Sequence, residues 1–294
     1  MSSDMTALAE LRSAVRGFLE KQAPVRTDDP TVWDRLTGEL GLLGVAAEDN
    51  ALALVCTVVE ETGRVLLNAP YLSTIVAALA VPDLDLSDGS RTVALALNSD
   101  LSQVPYAAEA SLLLLAVGDD VQLVEDFTAK PLEVLDVTRP CAKVTAQPGR
   151  VVASASAVRD LEAVALAAEC VGASQRLLEM AVQHLLTREQ FGRPLGSFQA
   201  LRHRIADLTV LVEAARSSTW YAGSGTDLPV SAPLALATAS DAFCSVAGEA
   251  IQLHGGIGFT WEHDVHLYFK RAWSTALRHD SRALRRLAFE RAGR

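Results

Sequence analysis

Four long helical segments in the C-terminal half constrain the fold of this chain more than any other feature. They cover residues 160–187, 199–223, 231–254 and 274–292. None of them keeps a strict heptad repeat, and glycine-containing stretches separate them. Helices of this length without a coiled-coil seam are typical of a bundle, so we predict a four-helix bundle over residues 155–294.

The first part of the chain predicts a small helical domain. Apolar residues at helical spacing indicate helices at residues 4–22, 33–40, 51–67 and 72–80. The last of them stops before Pro82, which cannot continue a helix. We therefore predict an N-terminal helical domain over residues 1–85.

Short apolar runs predict a small β domain between these two helical parts, over residues 86–154. The candidate strands lie at residues 92–97, 112–117, 121–124, 132–137, 142–145 and 151–153. Turn signals such as Gly118-Asp119-Asp120 separate them. The predicted fold class is mainly α with a small central β domain.

Composition and charge argue against several classes of function. The formal net charge of -10 disfavours nucleic acid as a partner. Apolar runs such as residues 111–117 are too short to span a bilayer, and the N-terminus shows no signal peptide. The four cysteines form no CxxC pair, which is typical of a reducing compartment. We predict a cytoplasmic protein.

The histidines do not predict a metal site. There are six, without an HExxH pattern. His263 and His266 lie three residues apart, but no third ligand stands at a matching spacing. Surface or capping roles are the prediction for both.

A first candidate motif, Arg188-Glu189-Gln190-Phe191-Gly192-Arg193-Pro194-Leu195, follows the end of a long helix. An arginine beside a glycine turn can bind a diphosphate with two hydrogen bonds, and Phe191 can face an adenine. The alternative is a helix–helix corner with Arg188 in solvent and Phe191 in the core. The pattern alone leaves both open.

A second candidate motif, Gln252-Leu253-His254-Gly255-Gly256-Ile257-Gly258-Phe259-Thr260, closes another long helix. Its adjacent glycines allow a positive φ and a close approach of the backbone to a ligand. A simple glycine C-cap is the alternative. The motif is not a Rossmann fingerprint, because no strand precedes it and the spacing is not GxGxxG.

Together, the two motifs and the helix–β–bundle order resemble the acyl-CoA dehydrogenase family. Residues 188–192 match the family motif R-x-x-F-G, and residues 252–262 match Q-x-x-G-G-x-G-F-x-x-E. The resemblance is strong across residues 155–294 and is one of layout across residues 1–154. In that family the two motifs reach across a dimer interface and hold the adenosine and pyrophosphate half of FAD.

This resemblance implies the roles of six residues. Arg188 would pair with the pyrophosphate, and Phe191 would line the adenine side. The implied FAD contacts are Arg188, Gln190, Phe191, Gln252, Gly255 and Gly256. An acyl-CoA substrate, α,β-dehydrogenation and an electron-transfer acceptor are implied with them.

The chain also departs from the family pattern. It is shorter than full-size members, and it lacks their T-E-P-x-x-G-S-D segment and W-I-T-N-type strand beside the flavin; residues 104–109 stand in that region. In place of the usual Glu-Gly, alignment of residues 270–272 with R-D-A puts His279-Asp280. Some members carry the base on the first bundle helix, and there the alignment gives Glu162. A solvated acid is the plainer interpretation of Glu162.

These departures predict a subunit of a heterotetrameric (α2β2) acyl-CoA dehydrogenase, similar to those acting on CoA thioesters of steroid side chains. The chain would contribute FAD contacts across the interface, and a full-length partner would carry the catalytic base. Two alternatives stay open. One is an independent acyl-CoA enzyme that uses Glu162, and the other is a flavin-free structural subunit.

Overall fold

The computed structural model describes residues 2–27, 29–98 and 100–293. Its N-terminal part is helical. Its helices are α1 (Ser2–Gln22), α2 (Thr31–Asp34), α3 (Ala51–Arg64) and α4 (Tyr71–Ala80). A π-helical turn extends α2 over Arg35–Glu39. The chain then turns at Gly41, where φ is 59°, a conformation that glycine adopts without steric cost.

Within the described residues, seven strands follow, arranged in two sheets. They are β1 (Val93–Ala96), β2 (Val104–Pro105), β3 (Leu112–Val117), β4 (Asp120–Val124), β5 (Phe127–Pro131), β6 (Cys141–Ala146) and β7 (Arg150–Ser154). One sheet has the order β1-β3-β4-β7, in which only the β1–β3 pair is parallel. The other is antiparallel with the order β2-β6-β5.

Long helices make up the rest of the described chain. They are α5 (Ala155–Thr187), α6 (Gln199–Gly223), α7 (Leu228–His254), α8 (Val265–Arg278) and α9 (Ser281–Ala292). A two-residue pair of strands, β8 (Glu189–Gln190) and β9 (Arg193–Pro194), lies between α5 and α6. Helix α7 packs against α5, α6, α8 and α9 and so forms the centre of the bundle.

Two glycines set how closely α3 approaches α5. A Cβ placed on Gly172 would lie 1.7 Å from the carbonyl oxygen of Glu60, and one on Gly63 would lie 2.2 Å from that of Glu169. Neither position has room for a side chain. The crossing of α3 on α5 therefore joins the N-terminal helices to the bundle with backbone packed directly on backbone.

The fold class follows the prediction, but two segments correct it in detail. Residues 132–137, predicted as a strand, form an irregular loop in which Leu135 and Val137 are exposed and Asp136 is buried. The predicted helix 274–292 is two helices, because the chain breaks at His279 and the Asp280 side chain caps α9. The domain boundaries at residues 85 and 154 stay a prediction.

Among the described residues, one helical stretch is long and apolar enough to cross a membrane by length and composition, Leu228–Phe259. Its best window has a mean hydropathy of 1.3 and is 67% buried inside the protein. The prediction of only short apolar runs did not anticipate it. Its position at the centre of the bundle accounts for its composition.

Candidate functional site

The first motif forms a tight, exposed hairpin at the end of α5. Phe191 and Gly192 both have positive φ, 55° and 75°, and form the turn between β8 and β9. The phenyl ring of Phe191 is 91% exposed. The alternative in which Phe191 belongs to the core is therefore wrong. A non-glycine residue with positive φ is uncommon, so this turn presents the ring outward at some conformational cost.

Arg188 lies at the base of this hairpin with its guanidinium exposed. Two hydrogen bonds fix its backbone: its N–H donates to the His184 carbonyl, and its carbonyl accepts from the Leu195 N–H. Across the described chain, no side chain pairs with its guanidinium. The neighbouring Arg193 differs, because it stacks over the Phe198 ring at 4.1 Å. Arg188 is thus free to bind an external anion.

The second motif ends α7 and turns into a short 3-10 helix over Gly255–Phe259. Gly255 caps α7 with a φ of 64°, so the C-cap interpretation describes its backbone correctly. A Cβ on Gly255 or Gly256 would meet no atom within 4 Å. Gln252 and both glycines are exposed. The described chain leaves the space beside these glycines open.

Stacked histidines bring the two motifs together. His184, one turn before Arg188, stacks on His254 with ring centroids 4.5 Å apart, and His254 in turn lies 4.6 Å from His263. His254 bonds through Nδ1 to the Ala250 carbonyl at 2.7 Å. Burial lowers the pKa of His254 to about 4, so the ring is neutral at pH 7. A neutral His254 ring stacks between its neighbours without adding a charge of its own.

The stacking places the two motifs on neighbouring helix ends, and we call their six exposed residues the motif surface: Arg188, Gln190, Phe191, Gln252, Gly255 and Gly256. Exposed apolar side chains adjoin it in the sequence. They are Leu186, Ile257, Phe259 and Trp261. Clustered exposed apolar groups around polar ones are typical of a binding surface.

A second region is a cavity of about 630 Å³ between the β strands and the bundle. Its walls come from α4, β1 and the segment after it, the loop of residues 132–140, the N-terminal half of α5, and α8. This size lies within the ~300–1,000 Å³ of typical ligand pockets. Both candidate bases, Glu162 and His279, line it.

Glu162 is half-buried in the cavity wall and forms no hydrogen bond with any described residue. Burial raises the pKa of its carboxyl to about 7, and the nearby Arg278, Arg139 and Arg159 oppose that shift only in part. A fully solvated acid would not have this environment. A carboxyl that titrates near neutral pH is chemically able to exchange a proton with a ligand.

His279 ends α8 on the same cavity. Burial lowers the pKa of its imidazole to about 3, with Arg278 and Arg139 adding to the effect, so the ring is neutral. Asp280 does not line the cavity. Its carboxylate instead accepts the N–H of Arg282 at 2.9 Å and caps α9. Among the described residues, Asp280 therefore places no anion in the cavity.

The inner wall of the cavity is a buried network of charges that the sequence did not indicate. Arg271 is 0% exposed and bonds to Asp136 at 2.9 Å and to Glu169 at 2.8 Å. Arg139 pairs with the other oxygen of Glu169 and donates to Thr275. These residues come from three separate segments. Only the folded chain brings them together.

Comparison with known proteins identifies related chains. The family profile described as "Acyl-CoA dehydrogenase, C-terminal domain" matches residues 149–277. Acyl-CoA dehydrogenase IpdE2 of Mycobacterium tuberculosis is 37% identical over 95% of this chain and 91% of its own length. IpdE2 of Mycolicibacterium smegmatis is 35% identical over 90% of this chain and 87% of its own length.

Two solved structures share the fold over nearly the whole chain. A steroid ACAD, the Tcur3481-Tcur3483 G363A variant, superposes with a TM-score of 0.84 at 25% identity and covers 98% of this chain and 99% of its own. The ChsE4-ChsE5 complex of Mycobacterium tuberculosis superposes with a TM-score of 0.86 at 22% identity and covers 97% of each chain.

Proposed function

Because this chain belongs to the acyl-CoA dehydrogenase family, we propose that it is one subunit of a flavin-dependent enzyme that dehydrogenates a CoA thioester between its α and β carbons. In this proposal the chain contacts the adenosine and pyrophosphate half of an FAD whose flavin lies in a full-length partner. The partner carries the catalytic base. The enzyme is a cytoplasmic heterotetramer that passes electrons on to an external acceptor.

The observation that carries the proposal is the unpaired motif surface. Arg188 presents a guanidinium without a partner among the described residues, and the backbone at Gly255 and Gly256 has open space beside it. A guanidinium matches a pyrophosphate with two charge-assisted hydrogen bonds, and glycine lets the backbone approach a ligand closely. These residues fit the nucleotide end of FAD.

The apolar side chains beside the motifs support an interface at the same place. Phe191 and Phe259 are 91% and 72% exposed, and Trp261 is 60% exposed. Leaving large rings in water is unfavourable, so a second chain that covers them would gain hydrophobic stabilisation. A cofactor bound between two subunits accounts for the polar and the apolar groups together.

Bound FAD supplies the acceptor for the β-hydrogen that leaves as hydride. The residues of this chain have a simpler task. Arg188 and the amides after Gln252 hold and orient the nucleotide, and Phe191 shields its adenine from water. The inner charge network supports the assignment of the flavin ring to the partner. Arg271 and Arg139 already pair with Asp136 and Glu169, so their donors are not available to a flavin ring in this chain.

The substrate class extends the same proposal. The similar Tcur3481-Tcur3483 structure is named a steroid ACAD, and the similar ChsE4-ChsE5 structure is named a complex. We place a bulky polycyclic acyl group on the CoA thioester for this reason. Turnover of the co-expressed complex on steroid-side-chain and straight-chain acyl-CoA substrates distinguishes the two classes.

The test of FAD sharing is the flavin content of the co-expressed complex with and without Arg188→Ala. A lost charge-assisted pair corresponds to roughly tenfold or more in FAD affinity, so flavin per complex should fall at limiting FAD. Arg286→Ala, an exposed arginine on α9, is the matched control. Unchanged flavin in the Arg188 variant would favour a flavin-free structural subunit.

One observation favours a second candidate, an independent acyl-CoA enzyme that uses Glu162. This carboxyl lines a cavity of suitable size and titrates near neutral pH. The purified chain would then carry stoichiometric flavin and turn over an acyl-CoA, and Glu162→Gln would abolish the rate. The partner proposal expects little flavin on the chain alone and little rate loss in Glu162→Gln complexes.

A further inference from the structure

The cavity contains a cation without an anionic partner. Arg278, the last residue of α8, donates to the Gln103 carbonyl at 3.0 Å and approaches the Cys141 sulfur at 3.8 Å. Neither partner is a carboxylate. A guanidinium has five N–H donors, so most of the hydrogen-bonding capacity of Arg278 is unused. No carboxylate in the described ranges lies within ion-pair distance of it.

The other cations that line the cavity differ from Arg278. Arg139 is neutralised by Glu169 and also donates to Thr275 at 3.0 Å. Lys270 lies 4.4 Å above the Trp261 ring. Burial lowers the pKa of Arg278, which is the expected sign for a desolvated cation that lacks a counter-ion. An anion entering the cavity would relieve this cost.

The cavity also has an apolar mouth. Leu277 and Leu135 line it and are 82% and 73% exposed, and Trp273 is 46% exposed. Apolar side chains of this size are seldom left in water around a pocket without a ligand to cover them. The occupant should therefore combine an apolar body with one anionic end.

We propose that this cavity binds a small amphipathic carboxylate, whose charged end pairs with Arg278 and whose apolar body packs against Trp273, Leu277 and Leu135. The fork of N–H donors on a guanidinium matches the two oxygens of a carboxylate. Glu162 lies near enough to Arg278 to interact with it electrostatically. A singly charged end is therefore favoured over a phosphate, which would meet stronger repulsion from Glu162.

This binding site is independent of FAD sharing. It uses residues of α8, α5 and the loop of residues 132–140, and none of the motif surface. The proposed function uses the motif surface of this chain and places the flavin and the base in the partner, so it assigns no ligand to the cavity. Carboxylate binding assigns one. Flavin content reports on the motif surface and carboxylate binding reports on the cavity, so one proposal can fail while the other stands.

Isothermal titration of the full chain with decanoate and with decanamide tests the charge requirement. The two probes share an apolar body and differ in the anion. A charge-assisted hydrogen bond to Arg278 should make decanoate bind about tenfold more tightly. Equal affinities, or no binding of decanoate, would overturn the proposal.

Two variants with opposite expected effects remove the ambiguity of misfolding. Arg278→Gln should weaken decanoate about tenfold and leave decanamide unchanged. At pH 8, where the Glu162 carboxyl is ionised, Glu162→Gln removes a neighbouring anion and should strengthen decanoate a few-fold. Arg286→Gln is the matched control, because Arg286 is an exposed arginine on α9 that does not line the cavity, and its decanoate affinity should stay within about twofold. Decanoate binding that survives Arg278→Gln would contradict the assignment.

Discussion

The inner charge network and the motif surface use the same kinds of residue in opposite ways. Around Arg271, the charged groups find their partners inside the chain: Arg271 pairs with Asp136 and Glu169, and Glu169 also pairs with Arg139. At the other end of α5, Arg188 finds none among the described residues. An arginine whose partners are internal is expected to serve stability. One whose partners are missing is expected to serve a ligand or another chain.

Removing Arg271 should give the largest loss of stability. Arg271→Met leaves Asp136 and Glu169 buried with reduced compensation, and breaking a buried pair from one side costs about 3–5 kcal/mol. Urea unfolding of the two proteins measures the difference. Arg286→Met, at an exposed position, should stay within about 0.5 kcal/mol of the wild type. Equal losses in both variants would show that the network adds little.

Alanine substitutions at two glycines, Gly172 in the interior and Gly256 on the motif surface, should differ in the same way. Gly172→Ala puts a Cβ 1.7 Å from a backbone oxygen at the α3–α5 crossing, whereas the Cβ in Gly256→Ala meets nothing within 4 Å. Overpacking costs up to about 3 kcal/mol, and the rigid neighbour places Gly172→Ala near that limit. Gly256→Ala should leave the unfolding free energy unchanged within about 0.5 kcal/mol.

The flavin content of the Gly256→Ala complex makes the comparison sharper. If the open space beside Gly256 is filled by a nucleotide, the added methyl should lower flavin per complex without lowering stability. Gly172→Ala should do the reverse in whatever fraction stays folded. A Gly256 variant with normal flavin content would show that the motif surface tolerates a side chain there.

The Glu162 carboxyl should make stability fall as pH rises. Its pKa is raised from 4.5 to about 7, so between these values the folded state holds a proton that the unfolded state has lost. This stabilisation is complete below about pH 4.5 and disappears as pH passes 7. The difference between wild type and Glu162→Gln in urea unfolding at pH 5 and pH 8 should change by about 2 kcal/mol. A pH-independent difference would mean that the carboxyl is solvated.

The sequence predicted the elements whose signal is local. Helix α6 has the predicted bounds, and strand β3 also does, because long periodic runs and short apolar runs between turns carry their own information. The strand predicted at residues 132–137 is wrong for the opposite reason. Its apolar Leu135 and Val137 suggested a strand, but the segment is shaped by Asp136, whose partner Arg271 is distant in the chain.

The two parts of the candidate site also differ in how far the sequence predicts them. The six residues of the motif surface lie in two continuous motifs, so the resemblance named them, and their FAD-binding roles stay a prediction. The cavity is assembled from Glu162, Arg278, Arg139 and the loop of residues 132–140. No spacing along the chain links these segments. Pairing between them depends on tertiary packing, which a single sequence does not display.

Substitution of Phe191 should have the smallest effect on stability. For that reason, a change in assembly in this variant can be assigned to the surface and not to unfolding. Its ring is 91% exposed, so Phe191→Ala removes almost no buried surface and should change the unfolding free energy by less than about 0.5 kcal/mol. Phe243→Ala, where the ring is 0% exposed, is the matched control and should cost about 3–5 kcal/mol. Assembly with the full-length partner, followed by size-exclusion chromatography, should nevertheless weaken in the Phe191 variant, because that ring is proposed to be covered in the complex. A destabilised Phe191→Ala chain, or one that assembles normally, would remove the contrast between a closed interior and an open surface.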